Sequence, residues 1–169
     1  MKKRLESLPY WKFLAFQLLQ YLVVGVLTVL LFLLYAQISG KEAFETPRYS
    51  NSFWYYATIL LGSIIMETFF FQYIPFQLFR LYWKFRKRKS PLSFIIFSAL
   101  VFGLFHLTTS NKDIAISILK VLASVIGGII LSTSYYILAR KKQYPFLSVF
   151  LIHFLYDFTL LGLAFCMRS

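Results

Sequence analysis

Two acids and two histidines lie where the sequence is otherwise apolar: Glu67, His106, His153 and Asp157. The stretch VFLIHFLYDF (149–158) holds two of them, four residues apart. On a helix His153 and Asp157 would share a face, and the carboxylate could accept from an imidazole nitrogen and fix its tautomer. A glutamate brought to the same place could take a proton from water. Two imidazoles could ligate a divalent metal such as zinc together with that glutamate, or donate hydrogen bonds to a tetrahedral oxyanion. Both routes are hydrolytic. No Ser or Cys sits one turn from either histidine within an apolar run, which weighs against a side-chain nucleophile. Either histidine alone would serve equally well as a helix–helix hydrogen-bond partner. Two acids and two histidines at matched depth favour a common centre.

The elements that must position these groups follow from composition. Of the 169 residues 59% are hydrophobic, 21% are aromatic and 14% are charged, and the mean hydropathy is +0.68. A soluble domain of this size could not cover so much apolar surface, so the expectation is an all-α, polytopic helical membrane protein forming one integral-membrane domain over 1–169. Apolar runs predict about five transmembrane helices at 13–36, 53–79, 92–109, 114–138 and 145–166, each near the roughly 17–25 residues a bilayer helix needs. Ser90-Pro91 and Asp113 supply helix starts. Glu67 and Asp157 fall near the middles of the second and fifth runs, and His153 lies one turn from Asp157. His106 lies about 7–8 Å outward from the middle of the third. All four thus fall in a slab about two helical turns thick. Ser63, Thr68 and Gln72 are the polar groups near Glu67, and Ser124, Gly128 and Ser132 form a small-residue stripe suited to close helix packing.

A net charge of +12 taken alone suggests nucleic acid, but the basic residues flank the apolar runs and read as membrane anchors. With five spans, Lys2, Lys3, Arg4, Lys12, Arg80, Lys84, Arg86, Lys87, Arg88, Lys89, Arg140, Lys141 and Lys142 fall on one side. Lys41, Arg48, Lys112 and Arg168 fall on the other, and Lys120 lies within a span, where its long stem can snorkel. This bias predicts a cytoplasmic N-terminus and an outer C-terminus. The remaining acids, Glu6, Glu42, Glu45 and Asp113, fall in loops or at helix ends. Pro75 should kink or end the second span. Beyond it, residues 75–89 read either as a basic amphipathic helix in the interface or as a plain basic loop. The single cysteine, Cys166, excludes an internal disulfide and a multi-cysteine metal site.

Three motifs carry a family resemblance. FGLFH (102–106) resembles the Phe-x-x-x-His motif, and HFLYD (153–157) the His-x-x-x-Asn/Asp motif, of the CAAX-processing endopeptidases and their bacterial relatives, the CPBP (Abi) intramembrane metalloproteases. ETFFFQ (67–72) resembles that family's Glu-Glu-x-x-x-Arg motif, with Thr68 in place of the second glutamate, Gln72 in place of the arginine and Tyr73 in place of a frequent glycine. The resemblance covers about residues 53–160. It implies an intramembrane endopeptidase in a bacterial plasma membrane, acting on a peptide or membrane-anchored substrate. Glu67 would be the base or a metal ligand, and His106 and His153 would be ligands or oxyanion donors. Asp157 would support His153, with Phe102, Thr68 and Gln72 supporting the site. Membrane lipids are the expected surroundings and nucleic acid is not an expected partner; the oligomeric state is left open. The altered first motif keeps a second reading in play, a catalytically impaired relative serving bacteriocin immunity or partner binding. A third, ion-coupled transport through the buried carboxylates, finds no inverted repeat to support it.

Overall fold

A computed structural model describes residues 7–40, 53–86, 90–109 and 113–166, all of them in helices or in short turns between them. Helix α1 runs Tyr10–Ser39, α2 Phe53–Thr68, α3 Ile74–Arg86, α4 Pro91–Phe105, α5 Ile114–Lys141 and α6 Pro145–Cys166. A π turn, Phe69–Tyr73, joins α2 to α3, and a 3-10 turn, His106–Thr109, follows α4. The flanking Lys2, Lys3, Arg4, Lys41, Arg48, Lys87, Arg88, Lys89, Lys112 and Arg168, and the acids Glu6, Glu42 and Glu45, lie outside the described residues.

Four helices are long and apolar enough to cross a bilayer: Tyr10–Ser39, Phe53–Arg86, Ile114–Lys141 and Pro145–Gly162. The chain is therefore an integral membrane protein with a polytopic helical fold. Pro91–Phe105 is a shorter apolar helix. With the 3-10 turn added, at about 1.5 Å per α residue and 2.0 Å per 3-10 residue, the segment reaches about 30 Å, the thickness of a hydrocarbon core.

Polarity is arranged inside out. Leu19, Val23, Leu27, Leu30, Ile59, Ile96, Leu100, Ile118 and Leu122 stand on the outer surface, where lipid is as good a solvent as a core. Gln17, Thr68, Gln72, Ser98, Ser132, Ser134, Ser148 and His153 are buried. Several of these polar groups fasten helices to one another. The Ser134 hydroxyl donates to Gln17 Oε1 at 2.9 Å, joining α5 to α1. The hydroxyls of Tyr10 and Ser148 are 2.8 Å apart, joining α1 to α6. Lys141 Nζ donates to the Leu8 carbonyl at 2.9 Å, and Tyr35 donates to Asp113 Oδ2 at 3.0 Å. Helix α1 is thus held at both ends and antiparallel to α5. Asp113 also caps α5, accepting from the Ala115 amide at 2.9 Å.

Of the two expectations for Pro75, a kink or an end to the span, the end is not met: the chain passes helically from Phe53 to Arg86 through the π turn that precedes Pro75. Proline has no N–H, so the Phe71 carbonyl loses the donor that an α-helix would supply from four residues on. The Ser98 hydroxyl of α4 donates to that carbonyl instead, and the Ser132 hydroxyl of α5 donates to Ser98 Oγ at 2.8 Å. Three segments are tied by this ladder, and of the two readings of residues 75–89 the helical one holds as far as Arg86.

Beside the ladder α4 and α5 approach at their glycines. A Cβ on Gly128 would lie 2.9 Å from the Ala99 Cα, and one on Gly103 would lie 2.2 Å from Val125 Cγ2 and 3.1 Å from the Val125 amide nitrogen. The stripe that includes Gly128 and Ser132 therefore serves close packing.

Two outcomes follow for purified protein in detergent or bicelles. Ser98→Ala strands a buried carbonyl and a buried hydroxyl and should cost about 1–3 kcal/mol in reversible unfolding; an unchanged stability would show that the ladder contributes nothing. Gly128→Val should destabilise by about 1–3 kcal/mol through overpacking. Gly62→Val, where a Cβ meets nothing within 4 Å, should stay near wild type in the same assay.

Candidate active site

Glu67 is the penultimate residue of α2, just before the π turn, and faces α6. Its Oε1 accepts from Ser63 Oγ, one helical turn earlier, at 2.8 Å. Its Oε2 lies 3.7 Å from His153 Nε2. That same nitrogen is 3.1 Å from Asp157 Oδ2, the i,i+4 partner on α6. One imidazole nitrogen therefore stands between two carboxylates from two helices. The nearer distance is within hydrogen-bond reach of Asp157; the longer one is an ion-pair approach. His153 is sealed at 3% exposure, whereas Glu67 and Asp157 keep 16% and 23%, so both carboxylates can be reached from outside the bundle.

His106 arrives differently. Helix α4 stops at Phe105, and His106 opens the 3-10 turn, its amide bonding to the Gly103 carbonyl. The expected third span, 92–109, thus places His106 in its tightened last turn, where helix ends commonly adopt 3-10 geometry. His106 Nδ1 lies 2.9 Å from the Phe102 carbonyl. A carbonyl only accepts, so Nδ1 carries the proton in this contact. The Phe102 ring, 2% exposed, packs edge-on against both imidazoles, with centroids 4.8 Å from His106 and 5.7 Å from His153. Glu67, His153 and Asp157 are in direct register, and His106 joins them across this phenyl ring.

Thr68 and Gln72 are fully buried beside this cluster along the chain. Thr68 Oγ1, both polar atoms of Gln72 and His153 Nδ1 lack hydrogen-bond partners among the described residues. The one-residue insertion of a π turn is common at functional sites. Here it begins two residues after Glu67 and contains Gln72.

Tyrosines missed from the sequence complete the surroundings. Tyr21 of α1, 5% exposed, stacks edge-on against His153 with centroids 5.9 Å apart, and lies 4.3 Å from the Tyr156 ring. Both rings occupy space left by glycines: a Cβ on Gly127 would lie 2.6 Å from Tyr21, and one on Gly25 would lie 2.4 Å from Tyr156. Those two glycines, within otherwise bulky spans, were the available signal.

A tetrahedral zinc site needs three or four donors about 2.0–2.3 Å from one point. Among the described residues no three His, Cys, Asp or Glu side chains are grouped to hold a metal, and His153 Nε2 is already engaged by Asp157. As they stand, Glu67, His106 and His153 do not form such a group.

The family model described as Type II CAAX prenyl endopeptidase Rce1-like matches residues 49–159. No curated protein and no solved structure matches the chain. The matched segment is more than half of the chain and contains Glu67, His106, His153 and Asp157; it leaves out α1, the source of Tyr21. The chain is a member of the Rce1-like family of type II CAAX prenyl endopeptidases, an integral membrane protein of a family whose general activity is intramembrane proteolysis.

Proposed function

We propose that the chain hydrolyses a peptide bond in a peptide or membrane-anchored substrate, with Glu67 as the base that activates water. The observation that carries this reading is the interhelical cluster in which Glu67 Oε2 stands 3.7 Å from an imidazole fixed by Asp157. Glu67 is oriented by Ser63 and remains partly reachable, as a general base must be. It takes one proton from water while the oxygen attacks the scissile carbonyl carbon. With a proton on its second ring nitrogen as well, His106, whose ring is aimed by the Phe102 carbonyl, would donate a hydrogen bond to the resulting oxyanion. The proton held by Glu67 passes to the amide nitrogen as the C–N bond breaks. Asp157 acts on His153 alone, holding its ring beside Glu67. The basic flanks of the spans support an N-terminus in the cytoplasm.

A second reading, a partner-binding or bacteriocin-immunity protein without turnover, is favoured by one observation. The motif positions taken by Thr68 and Gln72 are neutral, and their polar atoms are left unpaired.

Glu67→Gln should reduce cleavage of a fluorogenic CAAX-type peptide in proteoliposomes by about 10²-fold or more, with unchanged membrane insertion. His106→Ala should do likewise. Wild-type rates in both variants would end the hydrolytic assignment. Retention of the cellular phenotype in Glu67→Gln would favour the binding role.

A further inference from the structure

His153 links Glu67 to α6, yet its polar contacts all fall on one atom. Nε2 lies 3.1 Å from Asp157 Oδ2 and 3.7 Å from Glu67 Oε2. Nδ1 is buried and has no hydrogen-bond partner among the described residues. The terminal torsion of a histidine is broad. Contacts at a single atom leave the ring free to tilt about that atom, and a tilt carries Nε2 away from one carboxylate or the other. The plane of the imidazole must therefore be set by its apolar neighbours.

Two rings do this from two helices. Phe102 of α4 and Tyr21 of α1 each meet the imidazole nearly at right angles, at 77°, with centroids 5.7 and 5.9 Å away. Tyr21 is itself clamped on its other sides. A Cβ on Gly127 of α5 would lie 2.6 Å from Tyr21 Cε2 and 3.1 Å from its hydroxyl, so α5 backs the ring closely. Tyr156 of α6 lies 4.3 Å from it at 41°. The Tyr156 ring is in turn seated over Gly25, one turn along α1, where a Cβ would lie 2.4 Å from it. One turn before Tyr21, the buried Gln17 accepts from Ser134 at 2.9 Å, which fixes the register of α1 against α5. The depth at which Tyr21 meets His153 is thus set from both α5 and α6.

We propose that Tyr21 is a positioning residue of the candidate active site, its ring holding the plane of the His153 imidazole beside Glu67. Helix α1 lies outside the matched family segment, and on this account it is a working part of the site. The catalytic side of the proposal rests on the hydrolytic reading of Glu67. Tyr21 is 5% exposed and acts through His153, so it does not meet substrate. Its loss should lower kcat and kcat/KM together and leave KM in place.

The test uses the full chain in bicelles, with cleavage of the same fluorogenic peptide and nitrogen NMR of the imidazoles as separate readouts. The chain has only two histidines, so comparison with His106→Asn identifies the His153 signals. Tyr21→Leu should lower kcat by about tenfold or more with KM unchanged, and Tyr21→Phe, which keeps the ring, should restore it to within about twofold. The His153 nitrogens should give sharp signals in wild type and Tyr21→Phe, and exchange-broadened or averaged ones in Tyr21→Leu. Gly127→Ala displaces the Tyr21 ring without altering any residue of the site, and should reproduce the change at His153. Sharp, unshifted His153 signals in Tyr21→Leu, or equal losses of kcat in Tyr21→Phe and Tyr21→Leu, would overturn the proposal. Absence of cleavage by wild type would count against the hydrolytic reading, and the imidazole signals would then decide the role of Tyr21.

Discussion

A carboxylate at the centre of a bilayer has no water to answer it, and leaving one there alone costs at least about 2.5–3.5 kcal/mol. The approach of Glu67 and Asp157 to one imidazole nitrogen is how this bundle meets that cost. The rest of the architecture serves the meeting. Helix α2 must present Glu67 to α6, α6 must present His153 and Asp157 on one face, and α1 must close over them with Tyr21. Each condition constrains a different helix, so the polar centre also specifies how the apolar helices pack, a task that apolar contacts in lipid perform poorly by themselves.

Small residues set how closely the frame can be drawn around the site. Gly25 and Gly127 admit the tyrosine rings, while Gly103 and Gly128 bring α4 and α5 into near-backbone contact. That contact sets Phe102 against both histidines. Beside that contact, Ser132 donates to Ser98, which donates to the Phe71 carbonyl that Pro75 leaves without its α-helical donor. The irregular backbone next to Glu67 is therefore supported from two other helices. Irregular backbone at membrane depth requires such support, since lipid offers no hydrogen bonds.

Much of this was legible in the residues. Long uncharged runs announced the spans, Asp113 announced the start of α5, and the i,i+4 spacing of His153 and Asp157 announced their contact. Ser63 was visible as a polar neighbour of Glu67, and the family motifs agreed with the family match over residues 49–159. The π turn was not legible. Periodicity cannot register a one-residue insertion in a helix that is apolar on several sides, and Pro75 signalled an irregularity without saying which kind. The 3-10 turn at His106 was hidden because Leu107, Thr108 and Thr109 suit either helix. Tyr21 escaped notice because a tyrosine in an apolar span has no partner in sequence; its partner His153 is 132 positions away and only the fold brings them together.

The central claim, that Glu67 and His153 interact across the α2–α6 boundary, is tested most directly by a thermodynamic double-mutant cycle with Glu67→Gln and His153→Gln, reading reversible unfolding in bicelles. Direct contact predicts a coupling free energy of about 0.5 kcal/mol or more. Additivity within about 0.3 kcal/mol would contradict the account, because two side chains that do not touch lose their contributions independently.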